Sequence, residues 1–503
     1  MTTIDMTTAG GITFAVLPEL VLTVAALIAL LAAAWLHSKP DGSSKVGKIS
    51  LWGVVAAIIA LAVLWSLNAS PLESARMMAL DSFRYSSALL ILLTTAAVIA
   101  LSLGYLKREQ ITAPEFYPLV LFAAVGMLFL AGAADLIVVF LGLEVMSIAV
   151  YVLAGYDRRS SFSAEAALKY FLIGAFASAF LLYGIALIYG ATGTTNLVAA
   201  GKVIGVGQLS IMASLGLGML IIGLGFKVAA VPMHMWAPDV YDGSPTPITA
   251  FMATGVKAAG FVILGRILFE VFGGAVGSWT TVIGVLAIAT MVVGNLVALR
   301  QRSLKRMLAY SSIAHAGYLL AAIWSGPTNG AGPLLLYLWA YVITTIATFG
   351  LLGYLGIGGE RDVSLDSIAG LGRHQPIRAV GLSLCMLSLL GFPGTIGFIG
   401  KWFIISGVVS QDHAVLAVVM VLTSLVSAGY YLPVVAALWL KEPHVIVGPE
   451  SGPVPTGTTA TISLAAIMIV LFGVWPGWAL AQAVNWSAEL TVIGRSLAHY
   501  LGQ

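Results

Sequence analysis

Residues 221–239 read IIGLGFKVAAVPMHMWAPD, an apolar run that carries Lys227 and is then interrupted by Pro232, His234 and Pro238. A second lysine, Lys257, follows in the next apolar run. In hydrocarbon an ammonium near a helix centre costs roughly 2.5–3.5 kcal/mol on insertion scales. Two such lysines are therefore not there for stability. Pro232 removes a helical hydrogen bond and its ring clashes with the turn before it. The stretch from Leu209 to Phe272 thus predicts a discontinuous helix, permitted at membrane depth only where protein or water satisfies the freed carbonyls. This implies a protein-lined polar site inside a bilayer.

The composition agrees. Of 503 residues 60% are hydrophobic and 9% charged, with a mean hydropathy of +1.01, whereas soluble domains carry about 25% charged residues. At about 20 apolar residues per crossing, spans are expected near 14–36, 49–68, 85–105, 114–133, 135–155, 164–190, 209–235, 246–272, 279–299, 307–325, 331–357, 380–408, 413–440 and 458–482. These make fourteen. Loops after the odd-numbered spans hold most of the 24 basic residues, Arg361 among them, while Arg76, Arg84, Lys202 and Arg495 fall on the opposite side. The positive-inside rule then puts both termini outside. The net charge of +3 carries no message about nucleic acid, and none is expected as a partner. The N-terminus MTTIDMTTAGG has no basic residue before the first apolar run, which favours a retained first span over a cleaved signal. A single cysteine, Cys385, excludes an internal disulfide or a cysteine-held iron–sulfur cluster, so any redox centres belong to partners.

The longest polar loops, near 359–379 and 441–457, leave no room for a soluble domain. The broken stretch has a counterpart in LLGFPGTIGFIGKWF (389–403), where Gly391, Pro393 and Gly394 precede Lys401. Paired broken spans point to structural repeats with sites near the midplane. If spans 4–8 and 9–13 are the repeats, each has five crossings, and the second must run inverted. The expected division is a three-helix segment over 1–112, repeats over 113–273 and 274–441, and a C-terminal helix and tail over 442–503. The glycines of LGLGMLIIGLG (215–225) follow no strand and read as close helix packing.

Glu144 stands nine residues after Asp135 and eleven before Gly155, near the centre of its span. A carboxylate there needs a cation or a proton, and Lys169 or Lys227 is the expected partner if neighbouring spans bring one close. The alternative is a static ion pair, but intramembrane ionisable groups usually mark ion pathways. An ammonium stripped of water holds its proton less firmly, and a nearby carboxylate restores that hold. His234 titrates near neutrality when unperturbed and is a candidate relay, or a cap for carbonyls freed at the kink. His315, beside Ser311 and Ser312, is a candidate bridge between the halves or a packed, hydrogen-bonded core histidine. Asp135, Glu165 and Arg266 fall near span ends, where side chains reach the interface. Asp239 and Asp242 lie in WAPDVYDGSPTPI (236–248), which reads as a turn-rich loop.

The segments LGLEVMSIAVYVLAGY (141–156), KVAAVPMHMWAPDVYDGSPTPITAFMATGVKAAGF (227–261), KRMLAYSSIAHAGY (305–318) and GFPGTIGFIGKW (391–402) together resemble the proton-translocating, antiporter-like subunits of respiratory complex I. Among these the N-type subunits are the most similar, because FMATGVK (251–257) stands where the L-type relatives and cation/proton antiporter subunits typically carry a histidine. The resemblance is clearest from about Pro114 to Lys441.

It implies fourteen helices with two inverted five-helix repeats and discontinuous helices 7 and 12. It also implies proton translocation through Glu144, Lys169, Lys227, Lys257 and Lys401 with His234 and His315 as relays. It implies no cofactor in this subunit, with NADH, FMN, iron–sulfur clusters and quinone handled by partner subunits. The implied neighbours are M-like and K-like membrane-arm subunits and the lateral helix of an L-like one, in a bacterial plasma membrane. The alternative of another class is a cation/proton antiporter subunit driven by ion gradients alone.

Overall fold

The computed structural model of the chain describes residues 3–5, 8–39, 41–67, 70–71, 77–111, 113–355, 363–442 and 455–500, with backbone alone at 3, 70–71 and 491–500. Arg76, Arg361, the division at 112 and much of the two long polar loops lie outside the described residues, as does the side chain of Arg495.

The fold is helical apart from a two-residue parallel pairing of Thr3–Ile4 with Ser70–Pro71. The spans are α1 (Leu17–Leu36), α2 (Gly42–Ser66), α3 (Ser82–Arg108), α4 (Phe116–Gly132), α5 (Leu136–Ala154), α6 (Ser161–Thr192), α7a (Ile211–Val228) with α7b (Trp236–Gly243), and α8 (Thr246–Glu270). Then follow α9 (Thr280–Ala298), α10 (Leu304–Trp324), α11 (Gly326–Leu352), α12a (Pro376–Leu390) with α12b (Ile396–Val409), α13 (Ala414–Trp439), α14 (Thr456–Val474) and α15 (Gly477–Tyr500). Among the described residues, twelve helices are long and apolar enough to cross a membrane. The 17-residue α4 and the broken pair α12a and α12b supply two more crossings, which gives the fourteen expected.

Side-chain caps begin many of these helices, each satisfying a backbone N–H that has no partner in the first turn. Asp81 accepts from Arg84 N at 2.7 Å, Asp135 from Ile137 N at 2.8 Å, and Ser303 from Arg306 N at 3.3 Å. Both discontinuities fall where expected. α7a stops at Ala229, which turns left-handed at φ 58°, and α12a stops at Gly391, at φ 84°. Because the breaks fall in spans 7 and 12, an odd number of crossings apart, the second lies upside down relative to the first.

Three expectations need correction. The fourteenth span ends at Val474 rather than 482, because Pro476 starts a separate helix, α15, that packs against α11, α3 and α8. Residues 236–243 are the half-helix α7b, not a loop, since Pro238 sits in its first turn, where its missing N–H costs nothing. Arg266 does not reach an interface. Its side chain is fully buried and pairs with Asp81 and Glu270 at 2.8 and 2.7 Å.

Burial is graded. α8 is enclosed along its whole length and α10 and α11 nearly so, while α1 and α14 turn most of their surface outward. The innermost helices are therefore also those that carry Lys257 and His315.

Candidate functional site: a buried line of lysines and hydroxyls

Lys227 is the last but one residue of α7a and is 2% exposed. The break below it leaves carbonyls without helical partners. Trp236 Nε1 adds a donor to Phe226 O at 2.9 Å, beside the cap N–H of Ala229 at 3.1 Å, and Val231 N reaches Thr290 Oγ1 on α9 at 3.0 Å. Lys227 Nζ donates to the Tyr151 hydroxyl at 3.3 Å and lies 5.0, 5.2 and 5.4 Å from the ring centres of Tyr151, Tyr170 and Phe226. Such an aromatic cage holds a cation through the negative faces of its rings.

Glu144 is on α5, seven residues before Tyr151, and its charge acts on the Lys227 ammonium without a direct ion pair. It is half-buried and accepts from Ser178 on α6 at 2.5 Å. Lys169 is elsewhere. Its ammonium binds Glu165 and Asp239, each at 2.7 Å, whereas Lys227 reaches the helix of Glu144 through Tyr151, two turns further along. Asp239 also takes Arg306 at 2.9 Å, and Asp242 accepts from Ser303 at 2.7 Å. These pairs line an open cavity of about 600 Å³ bounded by α6, α7b and the start of α10.

Lys257 follows directly on a turn of π-helix, Met252–Val256, inside α8. Single π turns are rare and tend to occur at functional sites. Lys257 Nζ donates to Ser312 O at 2.7 Å and to the Ser312 hydroxyl, which also receives Tyr341 at 2.9 Å. One turn along α10, His315 is held between two phenols, with Nδ1 2.6 Å from Tyr337 and Nε2 3.1 Å from Tyr431. Tyr431 also bonds Ser311. Lys401, on α12b, closes the line: its Nζ donates to Leu390 O, a carbonyl freed by the second break, at 2.9 Å, and lies 4.8 Å from the Tyr318 ring centre. The Tyr318 ring packs edge-on against His315 at 5.7 Å.

His234 stands apart. It is half-exposed in the break, where its Nδ1 lies at hydrogen-bonding distance, 3.3 Å, from the kink carbonyl Pro232 O, while Trp236 binds Phe226 O. Asp135 is a helix cap that also accepts from Thr195 at 2.8 Å.

What the sequence reading missed is a set of tyrosines: Tyr151, Tyr170, Tyr318, Tyr337, Tyr341 and Tyr431. A faint signal existed in Tyr337 and Tyr341, four residues apart and so on one face of a helix, in a span that also holds Thr344, Thr345 and Thr348. Among the described residues no three His, Cys, Asp or Glu side chains are grouped as metal ligands.

Comparison with known proteins gives the family. Residues 133–427 match the pattern of the NADH:quinone oxidoreductase/Mrp antiporter membrane family. A protein of Gemmatimonas aurantiaca named NADH-quinone oxidoreductase subunit N is 43% identical over 492 residues, 94% of this chain and 93% of that one. A chain of respiratory complex I from Thermus thermophilus superposes with a TM-score of 0.78 at 36% identity, over 92% of this chain and 98% of its own. A chain of the Mrp complex from a Dietzia species has a TM-score of 0.81 over 95% of this chain and 99% of its own. At 21% identity it shares the fold alone. With its buried lysines on two inverted repeats and these relatives over nearly its whole length, the chain belongs to the NADH:quinone oxidoreductase/Mrp antiporter membrane family, among the subunit N proteins of NADH-quinone oxidoreductases.

Proposed function

We propose that this chain is a proton-translocating subunit of the membrane arm of an NADH:quinone oxidoreductase, moving protons through Glu144, Lys227, Lys257, His315 and Lys401 as quinone is reduced elsewhere in the complex. One observation carries the reading. The buried arginines Arg84 and Arg266 are ion-paired with Glu19 and Asp81, as buried charges normally are. Lys227, Lys257 and Lys401 are as deeply buried, yet their Nζ atoms meet only hydroxyls, carbonyls and rings. A buried cation without a counter-ion fits a group that gains and loses its proton.

In one state of the cycle Glu144 draws up to Lys227 and holds its proton, and when Glu144 moves away Lys227 loses that charge. The proton passes to Lys257, then through Ser312, His315 and its phenols to Lys401 and the outer face. Moving one charge against the potential costs about 2.3 kcal/mol per 100 mV. Separating a pair at 4 Å with an effective dielectric near 20 changes the energy by about 4 kcal/mol, which is enough. Lys169 and Asp239 serve the entrance cavity, with His234 as a separate relay at the break.

Glu144 is half-exposed within a helix face shared with Leu141, Val145 and Ile148, all exposed. A carboxylate at that depth is costly against lipid, which supports a K-like membrane-arm neighbour seated there. An M-like neighbour, the lateral helix of an L-like subunit, both termini on the outer face and the division at 112, 273 and 441 complete the proposal. A transporter driven by ion gradients alone is the weaker reading, because likeness to the Mrp chain extends to the fold only, and FMATGVK lacks a histidine.

The test is Lys257→Ala in the assembled complex. Loss of proton pumping and of coupled quinone reductase activity is expected, and unchanged pumping would sink the proposal.

A further inference from the structure

Between Lys227 and Lys257 the line of direct contacts is interrupted. Lys227 ends at Tyr151 and the Tyr170 ring, and Lys257 begins at Ser312. Their helices touch, since a Cβ added at Gly260 would stand 3.7 Å from Lys227 Cβ. Two phenols occupy the interval. Tyr170, on α6, and Tyr241, on α7b, are 0% and 1% exposed. Trp236 fixes both rings, stacked on Tyr170 at 4.4 Å and edge-on to Tyr241 at 5.9 Å. α7b packs against α10, and Tyr241 lies near Ser312, which accepts from both Lys257 and Tyr341.

Both hydroxyls are buried, and neither completes a hydrogen bond of good geometry with protein. Leaving such a group unpaired is costly, and a polar site of this kind is where a bridging water is held. Tyr170 is the neighbour of Lys169 in sequence and Tyr241 lies two residues from Asp239, so the same two elements face the entrance cavity on one side and the lysines on the other.

We propose that the hydroxyls of Tyr170 and Tyr241, with water held between them, are the relay that carries a proton from Lys227 to Lys257 through Ser312. This rests on the reading of both lysines as proton carriers. The step balances without a charged intermediate at rest. Lys227 gives up one N–H proton and becomes an amine. Each oxygen along the line accepts one proton and releases its own, and a neutral Lys257, having already passed its proton towards His315, becomes the ammonium.

The test uses Tyr170→Phe, Tyr241→Phe and the double variant in the complete complex, beside Lys257→Ala. Phenylalanine keeps the rings that Trp236 packs against, so native-gel assembly is expected to be unchanged. Pumping-coupled quinone reductase activity is expected to fall about tenfold in the double variant, the rate cost of one lost hydrogen bond in a barrier. The solvent isotope effect on turnover should rise, which a purely structural loss would not produce. If the double variant pumps as the unaltered complex does while Lys257→Ala does not, the relay is wrong and the lysine pathway stands. If Lys257→Ala also pumps normally, the reading beneath it fails as well. Should the double variant not assemble, Tyr241→Phe alone decides between the same outcomes.

Discussion

At the residue scale the molecule treats its buried cations in two ways, and the choice of side chain matches. Arg266 spends both terminal nitrogens on Asp81, at 2.8 Å each, and one also on Glu270 at 2.7 Å. A guanidinium does not lose its proton in a protein, so it suits a permanent bond. Lys257 and Lys401 each donate to a carbonyl instead, Ser312 O and Leu390 O, and an ammonium readily exchanges its proton when it is desolvated. This separates two roles that substitution by alanine confounds. Lys401→Arg keeps a positive charge near Leu390 O but takes away the ability to release a proton. If Lys401 carries protons, this variant should assemble and then pump as poorly as Lys401→Ala, measured as proton uptake by membrane vesicles during quinone reduction. If Lys401 only supplies a fixed field, Lys401→Arg should pump well and Lys401→Ala should not.

At the element scale each lysine stands beside an interruption of its helix. Lys227 precedes the end of α7a, Lys257 follows the π turn of α8, and Lys401 donates to a carbonyl freed at the end of α12a. At Lys401 the unpaired carbonyl of a helix C-terminus, which carries a partial negative charge, offers the buried ammonium an acceptor without fixing a full counter-charge. Gly391 shows how closely this is built. Its φ of 84° suits glycine, and a Cβ there would stand 2.9 Å from Lys401 Cδ. Gly391→Ala should therefore lower coupled activity several-fold by displacing Lys401, with a smaller loss of assembled complex. Equal losses of both would mean that the break serves only folding. The breaks in α7 and α12 were legible because proline and glycine have a local meaning that survives any tertiary context. The π turn was not, since nothing in FMATGVK departs from an ordinary helical pattern. Nor were the tyrosines, because an aromatic residue in an apolar span reads as packing until a neighbouring helix shows what its hydroxyl meets. The Lys169 partner was hidden for a related reason: Asp239 was read in a loop, and a half-helix carries it to α6.

At the scale of the whole molecule, the first three spans are joined to the repeats by a buried ionic network. Arg84 on α3 pairs with Glu19 on α1 at 2.8 Å, its backbone N–H bonds Asp81, and Asp81 pairs with Arg266 on α8, the same helix that carries Lys257. All four side chains are at most 2% exposed. Breaking a buried pair by removing one partner typically costs about 3–5 kcal/mol, because the remaining charge is left uncompensated. That is a large part of the 5–15 kcal/mol by which a folded domain is usually stable. Arg266→Ala leaves two buried carboxylates, Asp81 and Glu270, without their shared guanidinium, and it should sharply reduce the amount of chain found in assembled complex. Lys257→Ala removes a cation that has no carboxylate to abandon, so its assembly should be close to normal while its pumping is lost. The measurement is the subunit content of the complex on a native gel, set against proton pumping per assembled complex. Arg266→Ala should score low on the first quantity and near normal on the second, with Lys257→Ala the reverse. If both variants instead assemble normally and both fail to pump, the network would belong to the proton pathway rather than to the attachment of the first three helices.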